Sequence, residues 1–181
     1  MQTAQIPDEL DFPDVEKPYL ESIDGRLVAK VSPKRKHGRL QLRLGRILED
    51  WAGKRGEVAT EWRFYLLPDD ARPSSLVPDV AYVSLERLPL ALPEDARERP
   101  RLAPDIAVEI MSPSDSRSVL MRKIELYLAH GSRVVLIVDP VNRTVTLHER
   151  EGSETFRSPE IATVTAYDDL RLDLAAIFDG I

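Results

Sequence analysis

The chain predicts an α/β fold, and three stretches carry that prediction. The segment IAVEI, a helical stretch ending at Gly131 and the apolar segment RVVLIVD succeed one another as strand, helix and strand, which implies a right-handed crossover between parallel strands. Upstream, YLESI and RLVAKV flank Asp24-Gly25, a dipeptide that tolerates the positive φ angles of a tight turn, so an N-terminal β-hairpin is expected. Between these units, EVATEWRFYLL and LVPDVAYVSL read as β from their Val, Tyr, Phe and Trp content.

Taken in order, residues 1–18 hold Pro7, Pro13 and Pro18 among acidic residues and read as a flexible leader. Residues 19–181 read as a single domain, a length that buries a sizeable core. After Pro33, Leu40, Leu44, Ile47, Leu48 and Trp51 fall on one face of a helix that Gly53 ends. The PDDARPSS stretch is a loop, as is the Pro-rich segment 86–104. In IAVEI, Ile106, Val108 and Ile110 point one way, while Asp105, Ala107 and Glu109 point the other. Ser112, Pro113 and Asp115 have the chemistry of N-cap, N1 and N3 positions, and Leu120, Ile124, Tyr127 and Leu128 form the buried face of a helix from Val119 to His130. The run RVVLIVD suits a central strand covered on both sides, Asp139-Pro140-Val141-Asn142 a turn, TVTLHE a further strand, and RLDLAAIF a short closing element.

Composition narrows the function. Of 181 residues, 43% are hydrophobic and 31% charged, and no apolar run approaches the ~20 residues of a membrane-spanning helix, so no membrane partner is expected. The N-terminus has neither the basic flank nor the apolar core of a secretory signal, and the absence of Cys excludes disulfides and thiolate zinc sites; a cytoplasmic location is the expectation. A net charge of −6 argues against a protein that coats nucleic acid through its overall field. Against that background Lys30, Lys34, Arg35, Lys36, Arg39, Arg43 and Arg46 form a local basic patch with no acid before Glu49.

The chemistry points to Asp79 and Glu109. Each is an acid inside an otherwise apolar β segment, and an ionised carboxylate there needs a cation, donors or an open cleft to offset its desolvation. Adjacent strands would bring both to one site, where paired carboxylates and water suit Mg²⁺ or Mn²⁺. Either acid alone is equally consistent with a strand end in solvent. Lys123 flanks the buried stripe of its helix, from which it can reach back toward the preceding strand; alone, it reads as an ordinary surface lysine.

PDVAYVS, APDIAVEIMSPSDS and KIELYLAHGSRVVLIVDP together resemble the restriction endonuclease family often called Uma-two, a branch of the PD-(D/E)XK nuclease superfamily. The resemblance runs from about Tyr19, in YLESIDGRLV, to LDLAAIF. It implies a restriction-endonuclease-like core, a central mixed β-sheet flanked by helices, with Asp79 and Glu109 as ligands of Mg²⁺ (or Mn²⁺), DNA as substrate and a homodimer as the working unit. Met111 stands where the superfamily motif places its lysine, two residues after the glutamate, and Lys123 matches the family's displaced lysine. The expected activity is therefore a metal-dependent endodeoxyribonuclease with Asp79, Glu109 and Lys123 as catalytic residues. The alternative is a non-catalytic nucleic-acid-binding or protein-interaction module that retains the fold.

Lys36, His37, Arg39, Arg43 and Arg46 are the candidate nucleic-acid contacts, since phosphate neutralisation dominates non-specific affinity; a solvated basic face reads equally from the pattern. His37 also fits a local contact at a helix start. Asp105 lies four residues, about 13 Å, from Glu109 along a strand and reads as a strand end near solvent. Glu61 is either a further acidic ligand or a solvent-facing side chain. A Gly-rich phosphate loop, a GxSxG elbow and an HExxH motif are absent.

Overall fold

A hairpin comes first among the residues that this computed structural model describes, which are 20–30, 34–66, 74–113 and 115–181. β1 (Leu20–Ile23) pairs antiparallel with β2 (Arg26–Ala29) through a turn in which Asp24 and Gly25 both take positive φ, as expected for that dipeptide. The leader over 1–18 and most of the PDDARPSS loop lie outside the described residues. α1 (Arg35–Ala52) buries Leu40, Leu44, Leu48 and Ala52 at four-residue spacing, with Ile47 and Trp51 packed partly against the same core, and Gly53 caps it.

The next two β segments differ from expectation, because each divides between two sheets. EVATEWRFYLL separates into β3 (Gly56–Thr60) and β4 (Phe64–Leu66) around Glu61, whose φ is +56°. LVPDVAYVSL separates into β5 (Ser74–Leu76) and β6 (Val80–Ser84) around Pro78, which has no N–H to continue a ladder. A short α2 (Glu94–Glu98) lies within the expected loop of 86–104. β7 (Ile106–Ile110), α3 (Arg117–Ala129) and β8 (Val134–Asp139) form the predicted crossover, with β7 and β8 parallel and adjacent. β9 (Thr144–Glu149), β10 (Gly152–Arg157), β11 (Ile161–Val164), β12 (Tyr167–Asp173) and α4 (Leu174–Ile177) complete the chain.

The six-stranded central sheet runs β10-β9-β8-β7-β6-β3 and is mixed, since β7–β8 is parallel and its other pairs antiparallel. A four-stranded sheet, β2-β1-β5-β4, and the pair β11-β12 flank it. One face of the central sheet packs Ile106, Val108 and Leu136 against Leu44 of α1 and Leu172, Leu174 and Ile177 of the C-terminal elements. The other packs Ala107 and Val135 against Ile124 and Tyr127 of α3 and Phe64 and Leu76 of the smaller sheet. Burial on both faces explains the unbroken apolar sequence of β8.

α3 begins two residues before the expected Val119, and its N-cap is Ser116 rather than Ser112. Asp115 accepts a hydrogen bond from the backbone N–H of Ser112 at 2.6 Å, closing a turn of its own, and Ser116 takes the N-cap position. The buried residues of α3 are Lys123, Ile124, Leu126 and Tyr127, with Leu120 and Leu128 half-buried. Lys123 therefore sits inside the protein face of its helix.

Leu44 is fully buried between α1 and the central sheet. Leu44→Ala is expected to lower the unfolding free energy by about 2–5 kcal/mol through lost transfer energy and a residual cavity, measured by chemical denaturation; a change under about 0.5 kcal/mol would contradict this packing.

Candidate active site

The register of β6 against β7 assembles the site. The backbone N–H of Asp79, just before β6, donates to the Val108 carbonyl at 2.9 Å, and Asp79 Oδ2 accepts from the backbone N–H of Ile110 at 2.6 Å. Asp79 is thereby fixed beside the end of the strand that carries Glu109. Both acids are nearly inaccessible, at 1% and 6% exposure, so the reading of either as a solvent-exposed strand end does not apply.

Lys123 closes the Glu109 side. At 5% exposure, its ammonium lies 2.7 Å from Glu109 Oε1 and 2.9 Å from Glu21 Oε1, and donates to Glu21 Oε2 at 3.0 Å. Tyr127, one turn further along α3, donates its hydroxyl to Glu109 Oε1 at 2.9 Å. Glu21 in turn accepts from the backbone N–H of Val77 at 2.7 Å, tying the hairpin to the segment that leads into Asp79.

The Asp79 side carries its own cations. Lys30 Nζ lies 2.7 Å from Asp79 Oδ1 and His37 Nε2 3.2 Å from the same oxygen. Lys30 also donates to the Val77 carbonyl at 2.8 Å and to Glu61 at 3.4 Å. Gln41 on α1 donates to Glu61 Oε1 and to the Asp79 carbonyl, each at 2.9 Å. Glu61 is thus one wall of the network, and His37 makes its contact with Asp79 across the sheet end, beyond the helix start.

Burial and charge act in opposition here. Burial pushes the Glu109 carboxyl up to about 7, with Glu21 and Asp79 adding to the rise and Lys123 opposing it. Burial also works to raise Asp79, but His37 and Lys30 outweigh it and hold this carboxyl well below the usual range. Lys30 and His37 are both raised despite burial, because Asp79 lies beside them, and Lys123 is raised despite burial by Glu109 and Glu21. One acid is poised near neutrality while its neighbour stays ionised, a separation of the kind found where carboxylates divide chemical roles.

Glu21, Asp79, Glu109, Lys30, His37 and Lys123 line one cleft of about 790 Å³. Its walls also include Lys34, Arg35 and Lys36 at the start of α1 and Arg143 after β8. The rest of the predicted basic stripe is placed elsewhere: Arg43 donates to the carbonyls of Ala176 and Ile177, Arg39 lies near Gly180, and Arg46 pairs with Asp50 on the exposed face. The donor set is suited to a hard divalent cation. Asp79 Oδ1 is buried with no well-directed hydrogen bond, and Lys123 and Tyr127 both meet Glu109 at Oε1. Among the described residues no three His, Cys, Asp or Glu side chains converge on one point, so the two strand acids are the carboxylates that such an ion would meet.

Asp105 departs from expectation. Rather than lying near solvent, it is fully buried, accepts from the Ser84 N–H at 2.8 Å and has Arg87 at 3.2 Å and Arg133 at 3.5 Å. It ties the far ends of β6 and β8 together, and its two arginine partners and the Ser84 N–H offset the cost of burying its charge. Glu21, Gln41 and the Tyr127 hydroxyl belong to the network around the strand acids without having been singled out from sequence, and Lys30 reads from sequence only as part of the basic patch. YLESI carries the same signal as the two strand acids, a carboxylate within an apolar β segment.

The displaced titration of Glu109 predicts a pH effect. A carboxyl raised from 4.5 to about 7 on folding contributes stability that is complete below 4.5 and lost as pH rises through 7. In metal-free solution the wild-type advantage over Glu109→Gln should therefore shrink by about 1–3 kcal/mol between those limits, measured by denaturation across pH; a constant difference would refute it.

Comparison with known proteins agrees with this architecture. A solved structure described as "a putative nuclease belonging to DUF820" from Anabaena variabilis ATCC 29413 superposes with a TM-score of 0.82 at 25% identity, covering 94% of each chain. No curated protein matches the chain. Among the described residues no helix is long and apolar enough to cross a membrane. The Uma2 family, described as "Putative restriction endonuclease", matches residues 6–175, and the chain belongs to that family.

Proposed function

We propose that this protein is a metal-dependent endonuclease of the PD-(D/E)XK type that hydrolyses phosphodiester bonds in DNA. The observation that carries the reading is the convergence of Asp79, Glu109 and Lys123, all buried, on one open cleft in a chain of a restriction endonuclease family. Asp79 and Glu109 would hold Mg²⁺ or Mn²⁺. When bound, the ion supplies Lewis acidity toward the phosphate and toward water.

The remaining work falls to the chain. Lys123 is held as an ammonium by Glu109 and Glu21, and its raised pKa makes it a donor at neutral pH. It orients the attacking water and stabilises charge developing on the phosphate, in a site where low water content strengthens the interaction. Tyr127 and Glu21 position Glu109 and Lys123. Lys34, Lys36, His37 and Arg143 offer positive charge along the cleft for the DNA backbone. Cutting both strands calls for two such sites, which a homodimer would supply.

A second reading is favoured by one observation: each strand acid already has a lysine partner, so the site is electrostatically satisfied as a non-catalytic binding scaffold. Cleavage separates the two. Supercoiled and linear DNA should be cut with Mg²⁺ or Mn²⁺ and left intact in chelator. Asp79→Ala, Glu109→Ala and Lys123→Ala should each lower the rate by at least about 100-fold. Wild-type protein that neither cuts nor gains thermal stability with either metal would favour the scaffold.

Because a proton occupies Glu109 up to about pH 7, metal binding must release it. Apparent Mg²⁺ affinity, measured by calorimetry, should rise by up to about tenfold per pH unit below 7 and level off above it. A pH-independent affinity would contradict the release of a proton from Glu109 on metal binding.

A further inference from the structure

Asp79 Oδ1, an oxygen that a divalent cation would take, is already met by the Lys30 ammonium at 2.7 Å, and Glu109 Oε1 by that of Lys123 at 2.7 Å. One cation has to give way, since like charges at such separations repel strongly in a poorly solvated site. Lys123 is poorly placed to do so. It is lodged on α3 at 5% exposure and shared between Glu109 and Glu21, so its departure would strand two buried carboxylates.

Lys30 is placed differently. It follows β2 at the cleft wall, with 14% of its side chain exposed. Its ammonium touches Asp79 Oδ1 at 2.7 Å, and also the Val77 carbonyl at 2.8 Å and Glu61 at 3.4 Å. It can therefore leave Asp79 and keep oxygen partners. His37, the other cation on Asp79 Oδ1, has no second acid within ion-pair distance among the described residues. Glu61 is held ready by Gln41, and its φ of +56° is a conformation that a non-glycine residue keeps only where its surroundings enforce it.

We propose that Lys30 is a resident counter-cation that occupies the metal's position on Asp79 and is displaced by the incoming ion onto Glu61 and the Val77 carbonyl. This rests on the metal-dependent reading above. Lys30 is thus a positioning residue that sets how much metal the site requires and keeps Asp79 ionised and shaped for it in the meantime.

The test is Mn²⁺ binding by calorimetry, without nucleic acid, to wild type, Lys30→Met, Glu61→Gln and the double variant, each checked for folding by circular dichroism in chelator. Lys30→Met should bind Mn²⁺ about tenfold or more tightly than wild type, and Glu61→Gln more weakly. In the double variant the Glu61→Gln loss should vanish, because Glu61 acts through Lys30. If Lys30→Met does not fold in chelator, refolding driven by Mn²⁺ at concentrations that leave wild type unsaturated gives the same support. Unchanged or weaker binding by Lys30→Met, or a Glu61→Gln loss that persists in the double variant, overturns the displacement while leaving a metal-binding wild type intact. Absence of Mn²⁺ binding by all four overturns the metal reading and this proposal together.

Discussion

The pairing of β6 with β7 is the constraint on which the site depends. An antiparallel ladder spaces its strands by about 5 Å, so an acid at the start of one strand and an acid at the end of the other become neighbours once the register is set. Here the register is anchored at the acid itself. Asp79 contributes a backbone donor to Val108 and a side-chain acceptor to Ile110, flanking Glu109 on both sides along β7. A slip of one residue would turn Glu109 to the opposite face of the sheet and bury it among Leu44 and Leu172. The aliphatic packing on both faces therefore does more than stabilise the sheet, since it makes such a slip costly.

Around that anchor the chain concentrates charge in a way that stability alone would not favour. Replacing buried ion pairs with packed apolar residues is often neutral or stabilising, whereas losing one partner is destabilising. Glu21, Glu109 and Lys123 on one side, and Asp79, Glu61, Lys30 and His37 on the other, form two linked groups where the small sheet, the central sheet and helices α1 and α3 meet. The small sheet brings Glu21, the central sheet the two strand acids, and the helices Lys123 and His37. Every group has a partner, yet the network opens on a cleft at the sheet end. This is the arrangement expected of a site kept ready for a charged ligand.

Much of this could be read from the residues. The hairpin turn, the helix after Pro33 and the crossover from β7 to β8 follow from Asp24-Gly25, four-residue spacing of leucines and the alternation of IAVEI with RVVLIVD. Asp79 and Glu109 stood out because acids are rare inside apolar strands. What could not be read is long-range placement. Nothing local to Lys30 says that its ammonium meets Asp79, 49 positions away, and nothing local to Arg43 says that it meets the carbonyls of α4 rather than a phosphate. The division of β3 from β4 likewise turns on one residue in an unusual backbone conformation, Glu61, whose side chain is held by Lys30 and Gln41. Such features are set by tertiary contacts that no window of sequence contains.

Under the proposed nuclease reading, Met111 illustrates how tertiary contacts let a helix rather than the strand supply the lysine beside Glu109. Two residues after Glu109, it projects to the same side of the strand line as that acid, which is where a strand-borne lysine would stand. Its backbone N–H is committed to the Val138 carbonyl at 2.8 Å, and its side chain packs partly against the core formed with Tyr127 and Ile124. The parallel crossover then brings α3 back across this same end of the sheet, so a lysine on its second turn reaches Glu109 from above the strand. The ammonium lies within hydrogen-bond distance of the carboxylate, while position 111 is free to be apolar. Placing the lysine on the helix also lets Glu21 of the hairpin share it, which a lysine directed along the strand could do only by bridging the gap between sheets. The position of Lys123 on the helix thus couples its charge to the docking of the N-terminal hairpin.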